Sequence, residues 1–203
     1  MPLKELLNNK SVSRRAAAND NLEVATLFSS YANTDGGIVL FGVKENGKLV
    51  GVSPQNLIED IKYALLESGM ADIVWEYEQL VEGRHLLIAV SISKSMNKLY
   101  IQNGRIKEYY CRICDKIIIA NKIIMKVWSL KDGRSEFKKL NELESEIKRL
   151  IQENQMISLA FLYKSLSEKN STTELALSQL ILKNEVQIIC KNDELKYSQV
   201  IFK

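Results

Sequence analysis

The stretch Ala32-Asn33-Thr34-Asp35-Gly36-Gly37-Ile38-Val39-Leu40-Phe41-Gly42-Val43 decides the fold of the first part of the chain. Upstream, Leu22, Ala25, Leu27, Phe28 and Ala32 recur at near-helical spacing, which predicts a helix over residues 21–32. Asn33 to Gly37 ends it, because Asn and Gly tolerate the left-handed conformations of a helix exit. Ile38 to Val43 is then a continuous apolar run of strand length, as expected of a strand buried on both faces. Glu45-Asn46-Gly47-Lys48 reads as a hairpin turn, with Leu49 to Val52 returning as the next strand.

Outward from that corner the elements continue to alternate. Ser53 and Pro54 suit a helix start ahead of Leu57, Ile58, Ile61, Ala64 and Leu65, and Gly69 suits its end. Strands are predicted around Ile73 to Tyr77 and Leu86 to Ile92, and a further hairpin from Leu99 to Ile113 turns at Asn103-Gly104. Ile117 to Trp128 reads as a short helix after a strand end. Beyond Ser129 to Arg134 the pattern is helical. Leu140, Leu143, Ile147, Leu150 and Ile151 mark one helix, Ser158 caps a second, and Ser171 or Thr172 starts a third. A hairpin turning at Asn192-Asp193 follows. The expected fold class is therefore α/β (α+β), a mixed sheet with flanking helices, followed by a small three-helix, winged-helix-like module. The expected domains are residues 1–131 and 136–203.

The 203 residues, 46% hydrophobic and 26% charged, suit a globular protein. No run nears the ~18 apolar residues of a membrane span. Residues 1–10 lack the apolar core of an export signal, so a cytoplasmic location with reduced thiols is expected. The net charge of +3 conceals a local excess. Residues 94–134 hold ten Lys/Arg against Glu108, Asp115 and Asp132, whereas residues 135–203 hold ten of each sign. A polyanion responds to local basicity, because each neutralised phosphate releases counterions.

The segment Ala32-Asn33-Thr34-Asp35-Gly36-Gly37, with Gly42-Val43, Gly47 and Gly51, resembles the Schlafen-AlbA family of DNA-binding domains. Downstream, Lys98-Leu99-Tyr100 and Tyr110-Cys111-Arg112 stand where that family has a Lys-Pro-Tyr-like segment and a strand ending in Tyr-x-Arg. The resemblance spans roughly residues 20–125. It implies DNA, with RNA as the alternative, as the partner. It implies phosphate contacts at Asn33, Thr34, Gly36 and Gly37, because successive glycines turn backbone N–H groups outward into an anion nest. The same glycines equally suit a tight helix-to-strand joint, and Asp35 would repel phosphate there.

Members of the family begin with a Glu-rich segment containing a Glu-Phe-Lys-like strand, and residues 1–15 read as having none. Some relatives resemble metal-dependent ribonucleases built on clustered carboxylates, for which Asp20, Glu23 and Asp35 are the nearby acids. They do not reproduce the family's acidic pattern, so no catalytic residue is expected. No Gly-x-x-x-x-Gly-Lys-Ser/Thr loop occurs, so neither nucleotide hydrolysis nor a cofactor is expected. Cys111-x-x-Cys114 is half a zinc site without a second half, so no metal is expected either.

The candidate nucleic-acid residues in the basic segment are Lys98, Tyr100, Arg105, Lys107 and Arg112. One continuous strand over 105–112 would put Arg105, Lys107, Tyr109 and Cys111 on one face. In a winged helix the third helix enters the major groove, which makes Thr173, Gln179 and Lys183 the candidates there. The balanced charge of that module favours dimerisation or protein docking as its other role. The expected protein is thus a non-enzymatic DNA-binding transcriptional regulator acting as a homodimer. The alternatives are an RNA nuclease and an interaction module.

Overall fold

The computed structural model describes residues 3–9, 11–113, 115–192 and 194–200. Internal contacts divide the chain into two units, Met1–Ile119 and Ala120–Lys203.

The first unit is built on a four-stranded mixed sheet. Its strands are β1 (Ser13–Arg15), β2 (Gly37–Phe41), β3 (Trp75–Glu82) and β4 (His85–Ile92), in the order β1-β2-β4-β3. β1 pairs parallel with β2, and the other pairings are antiparallel. β2 is central because its apolar run leaves nothing polar to expose. Val39 and Phe41 join the core beneath helices α2 (Asn21–Ala32) and α3 (Pro54–Glu67). Leu40 packs on the opposite face with Leu6 of α1 (Leu3–Asn8), Val12 and Leu87. Asp20 caps α2 by accepting from the Glu23 N–H at 3.0 Å. Two small hairpins complete the unit: β5 (Ile101–Asn103) with β6 (Ile106–Glu108), and β7 (Tyr110–Ile113) with β8 (Lys116–Ile119).

The α+β class and the mixed sheet are as expected, and α2 and the buried strand lie where periodicity put them. Four local expectations change. The segment ahead of α2, read as strandless, contains β1, a three-residue strand whose parallel partner lies far along the chain. The return strand at 49–52 is reduced to a single bridge, Val43 to Leu49. The run 105–112 is not one strand. It breaks at Tyr109, β6 pairs with β5 and β7 with β8, and Cys111 is buried while Lys107 is exposed. The run 117–128 begins as strand β8 and becomes helix α4 (Lys122–Lys131) only after Asn121 caps it.

The second unit contains α4, α5 (Asn141–Asn154), β9 (Met156–Ile157), α6 (Leu159–Ser165), α7 (Asn170–Leu182), β10 (Val186–Lys191) and β11 (Glu194–Gln199). Its antiparallel sheet runs β10-β11-β9. Ser158 caps α6 as expected, accepting from the Phe161 N–H. The core gathers Ile147, Leu150 and Ile151 of α5, Ala176, Leu177 and Leu180 of α7, and Ile123 of α4. α4, which precedes the sequence-based boundary at residues 131–136, thus packs with α7. Among the described residues, no helix is long and apolar enough to cross a membrane.

Candidate functional site

The corner after α2 is a brace. The N–H groups of Asn33, Thr34 and Gly36 bond to the Ser29 and Tyr31 carbonyls of α2, so these amides turn inward. Asn33 is 1% exposed, and its side chain is fully engaged. Its Nδ2 donates to the carbonyls of Leu99 (2.7 Å) and Tyr110 (2.9 Å), while Oδ1 accepts from the Leu99 N–H (2.7 Å). Thr34 Oγ1 donates to Ser30 O and accepts from the Arg112 N–H at 2.9 Å. The Lys98 ammonium donates to the Asn33 carbonyl at 3.0 Å. The two separate sequence signals, the corner and the basic segment, are therefore one physical assembly.

The glycines serve the same joint. At Gly36 (φ 76°) a Cβ would lie 2.6 Å from the Ile92 carbonyl oxygen, and at Gly37 it would lie 2.3 Å from the Tyr31 ring. The Tyr31 hydroxyl accepts from the Ser13 N–H at 3.2 Å and lies 3.1 Å from the Ile38 carbonyl, which ties β1 to β2. Of the joint and the nest, this geometry favours the joint: neither of Asn33's amide hydrogens is left over for a phosphate. Asp35 does not stand as a bare charge, because Lys94 pairs with it at 2.6 Å.

From this base projects the β5–β6 hairpin. Tyr100 and Tyr109 meet with ring centroids 5.6 Å apart, and the Lys107 ammonium sits 4.1 Å over the Tyr100 ring. Arg105 lies exposed in the turn between β5 and β6. The single acid of residues 94–113, Glu108, accepts from Tyr110 Oη at 2.7 Å and from Asn103 Nδ2 at 3.1 Å. Burial, then the Glu108 contact, holds the Tyr110 phenol above its ordinary value.

Arg112 stands apart from the hairpin. It stacks 4.4 Å over the Tyr31 ring and donates to Ser13 Oγ at 3.1 Å. There it meets β1, whose Ser13 and Arg15 share that face and which sequence reasoning passed over because it found no strand there. The signal for β1 is weak, since Ser13-Arg14-Arg15 has no apolar alternation.

The acids weighed for nuclease chemistry have other work. Asp20 caps α2, Glu23 pairs with Arg15 at 2.7 Å, and Asp35 pairs with Lys94. Among the described residues, no three His, Cys, Asp or Glu side chains gather as a metal-binding set. Burial pushes the Cys111 thiol up to about 12, so at neutral pH it is a protonated core group rather than a thiolate. Cys114 lies outside the described residues.

The candidates on α7 are placed differently from their sequence reading. Thr173 and Gln179 are each 1% exposed. Gln179 Nε2 donates to Glu144 (2.7 Å) and to the Lys138 carbonyl (3.0 Å), and its Oε1 accepts from the Lys138 N–H. Lys183 pairs with the same Glu144 at 2.6 Å. Neither Thr173 nor Gln179 is in a position to reach a base edge.

Residues 3–121 match the family model described as Schlafen, AlbA_2. The chain belongs to that family. No curated protein matches it. Among solved structures it is similar to the DIP2311 protein of Corynebacterium diphtheriae, with a TM-score of 0.44 and 13% identity over 61% of this chain. The chain spans 28% of that protein. It is also similar to the N-terminal domain of a RecG-related protein of Nitrosomonas europaea, with a TM-score of 0.39 and 16% identity over 52% of this chain and 84% of that one. Both likenesses are too distant to bear on function. The Schlafen/AlbA_2 domain thus includes the brace, the hairpin and the arginines of β1 and β7, whereas α4 to β11 lie beyond the match.

Proposed function

We propose that this protein binds nucleic acid through the β5–β6 hairpin of its Schlafen/AlbA_2 domain and acts as a DNA-binding transcriptional regulator. The observation that carries the reading is the hairpin's own composition: the Tyr100–Tyr109 ring pair under the Lys107 cation, with Arg105 at the turn and Lys98 at the base. Cations that track a phosphate backbone, interleaved with aromatic faces on which bases stack, suit a strand of nucleic acid. The family membership supports the same partner.

The second unit we read as a winged helix serving homodimerisation. Its element order, helix, short strand, two helices and a hairpin whose second strand pairs with the short one, supports that reading. The burial of α7 on nearly all sides supports docking over groove insertion.

Salt-titrated binding to duplex and single-stranded DNA tests the proposal. Affinity is expected to fall steeply with salt. Neutralising Arg105 and Lys107 together (Arg105→Gln, Lys107→Gln) should flatten the log–log slope by about 1.5–2, as two lost phosphate contacts require. Tyr100→Ala should weaken single-strand binding by about 1–3 kcal/mol at constant salt. No binding at about 50 mM salt, or binding without a salt slope, overturns the reading.

A further inference from the structure

The four-stranded sheet of the first unit has two edges, and they differ in kind. At one, β1 is three residues long and carries Arg14 and Arg15. Short, charged strands of that sort discourage further pairing. At the other, β3 is eight residues long, pairs with β4 over its whole length without a bulge, and contains neither Pro nor Lys. Apart from the half-buried Trp75 and Leu80, every residue of β3 is exposed.

The register says which backbone groups of β3 are free. The Ser93 N–H donates to the Val74 carbonyl at 2.9 Å, and the pairing runs on from Trp75 opposite Ile92 to Glu82 opposite His85. Residues that exchange both bonds alternate along an antiparallel pair, so Glu76, Glu78, Leu80 and Glu82 direct theirs to β4. Trp75, Tyr77, Gln79 and Val81 turn N–H and C=O away from the sheet, and among the described residues no other backbone group meets them.

The two faces of the strand are also unlike. On one, Trp75 is set edge-on against Phe28 at 5.9 Å, and Tyr77 (49% exposed) and Val81 (72% exposed) continue from it into solvent. The other carries Glu76, Glu78 and Glu82, and no positive residue stands in β3 to balance them. Their cross-strand neighbours on β4 are Ser91, Ala89 and His85, and among the described residues none of the three forms an ion pair.

We propose that this edge takes up a basic, extended segment of a partner protein as an antiparallel fifth strand. Main-chain bonds to the outward groups of Trp75, Tyr77, Gln79 and Val81 supply the attachment, and alternation of side chains supplies the selectivity. Incoming residues opposite the glutamates are Lys or Arg; those between are apolar or aromatic and lie along Tyr77 and Val81. A second copy of β3 is the poorer occupant. Outward residues must meet outward residues, and every antiparallel two-fold register that overlaps more than half the strand then sets one glutamate directly opposite another. Nucleic acid is repelled by the same charges, so this edge is separate from the hairpin and its reading.

The experiment measures the full chain against three capped peptides: alternating Lys and Val, alternating Glu and Val, and the Lys–Val peptide N-methylated at each valine. The Lys–Val peptide is expected to bind and to slow amide exchange at Tyr77, Gln79 and Val81, while Glu78 and Leu80, already held by β4, change little. The Glu–Val and N-methylated peptides should bind at least about tenfold more weakly. Glu76→Gln with Glu78→Gln should weaken the Lys–Val peptide by about two- to thirtyfold, as two lost cross-strand charge pairs require. Gln79→Pro removes an outward N–H and no bond to β4, so with its fold checked by circular dichroism it should abolish binding. The N-methylated peptide makes the same test from the other side, whether or not that variant folds. No binding at about 1 mM Lys–Val peptide, or equal binding of the Glu–Val peptide, overturns the proposal. Binding that leaves the Tyr77, Gln79 and Val81 amides unprotected overturns it too. So does protection of those amides in the free chain that is lost on dilution, which would assign the edge to a second copy.

Discussion

Asn33→Ala separates a brace from a ligand contact. The substitution removes three hydrogen bonds, at 2.7, 2.9 and 2.7 Å, from a site 1% exposed to solvent. It strands the Leu99 N–H, the Leu99 carbonyl and the Tyr110 carbonyl. A buried backbone group left unpaired costs about 1–3 kcal/mol. Water entering beside the half-buried Leu99 relieves part of that, so about 3–5 kcal/mol is expected in total. For a unit of this size the loss lowers the melting temperature by roughly 10–20 °C. Asn33→Asp, of the same shape, should cost as much, because it turns a carboxylate oxygen toward two carbonyls.

Thermal unfolding by circular dichroism measures the loss. Amide hydrogen exchange localises it, since protection should vanish first at Leu99 and then at Arg112, whose N–H bonds to neighbouring Thr34. Melting within about 2 °C of the parent, combined with weakened nucleic-acid binding, would refute the reasoning, for the amide would then be contacting the ligand.

Three further outcomes follow from the same geometry. Gly37→Ala drives a Cβ to 2.3 Å from the Tyr31 ring and should cost roughly 3 kcal/mol in a denaturant titration, displacing the ring that supports Arg112. Gln179→Ala should destabilise the second unit by about 2–3 kcal/mol, leaving DNA sequence preference unchanged in a binding-site selection. Burial raises the Glu174 carboxyl, but the bonds from Lys122 (2.7 Å) and Tyr163 (2.6 Å) outweigh it and hold the group below its ordinary value. A depressed folded-state value contributes stability above the ordinary carboxylate range, and that stability is lost as pH falls through the depressed value. The urea midpoint of Glu174→Gln should therefore lie below the parent's at pH 7 and converge on it in acid.

What the sequence made legible is what local chemistry writes down. α2, the corner and β2 follow from apolar spacing, an Asn-Gly-Gly exit and a run too apolar to face water, and the structure places them at 21–32 and 37–41. β1 was not legible. Three residues with two arginines have no strand signature, and their place is set by pairing with β2 and by the Tyr31 hydroxyl. Gln179 and Thr173 misled for a related reason. Polar side chains on a helix read as its wet face, and only the packing of α4 and α5 around α7 reveals that they are buried.

The corner and the basic segment are separate signals in the sequence, and the hydrogen bonds make one the support of the other. Asn33 reaches 66 residues ahead to Leu99 and 77 ahead to Tyr110, the two chain positions from which the β5–β6 excursion departs and to which it returns. Thr34 holds the next residue but one, Arg112, by its backbone. The presentation of Lys98, Tyr100 and Arg112 is thus fixed by residues that need not touch a ligand. Loss of binding on mutating the corner would accordingly not make Asn33 a contact residue. Only a change in affinity without a change in Leu99 protection would do that, and the brace geometry forbids it.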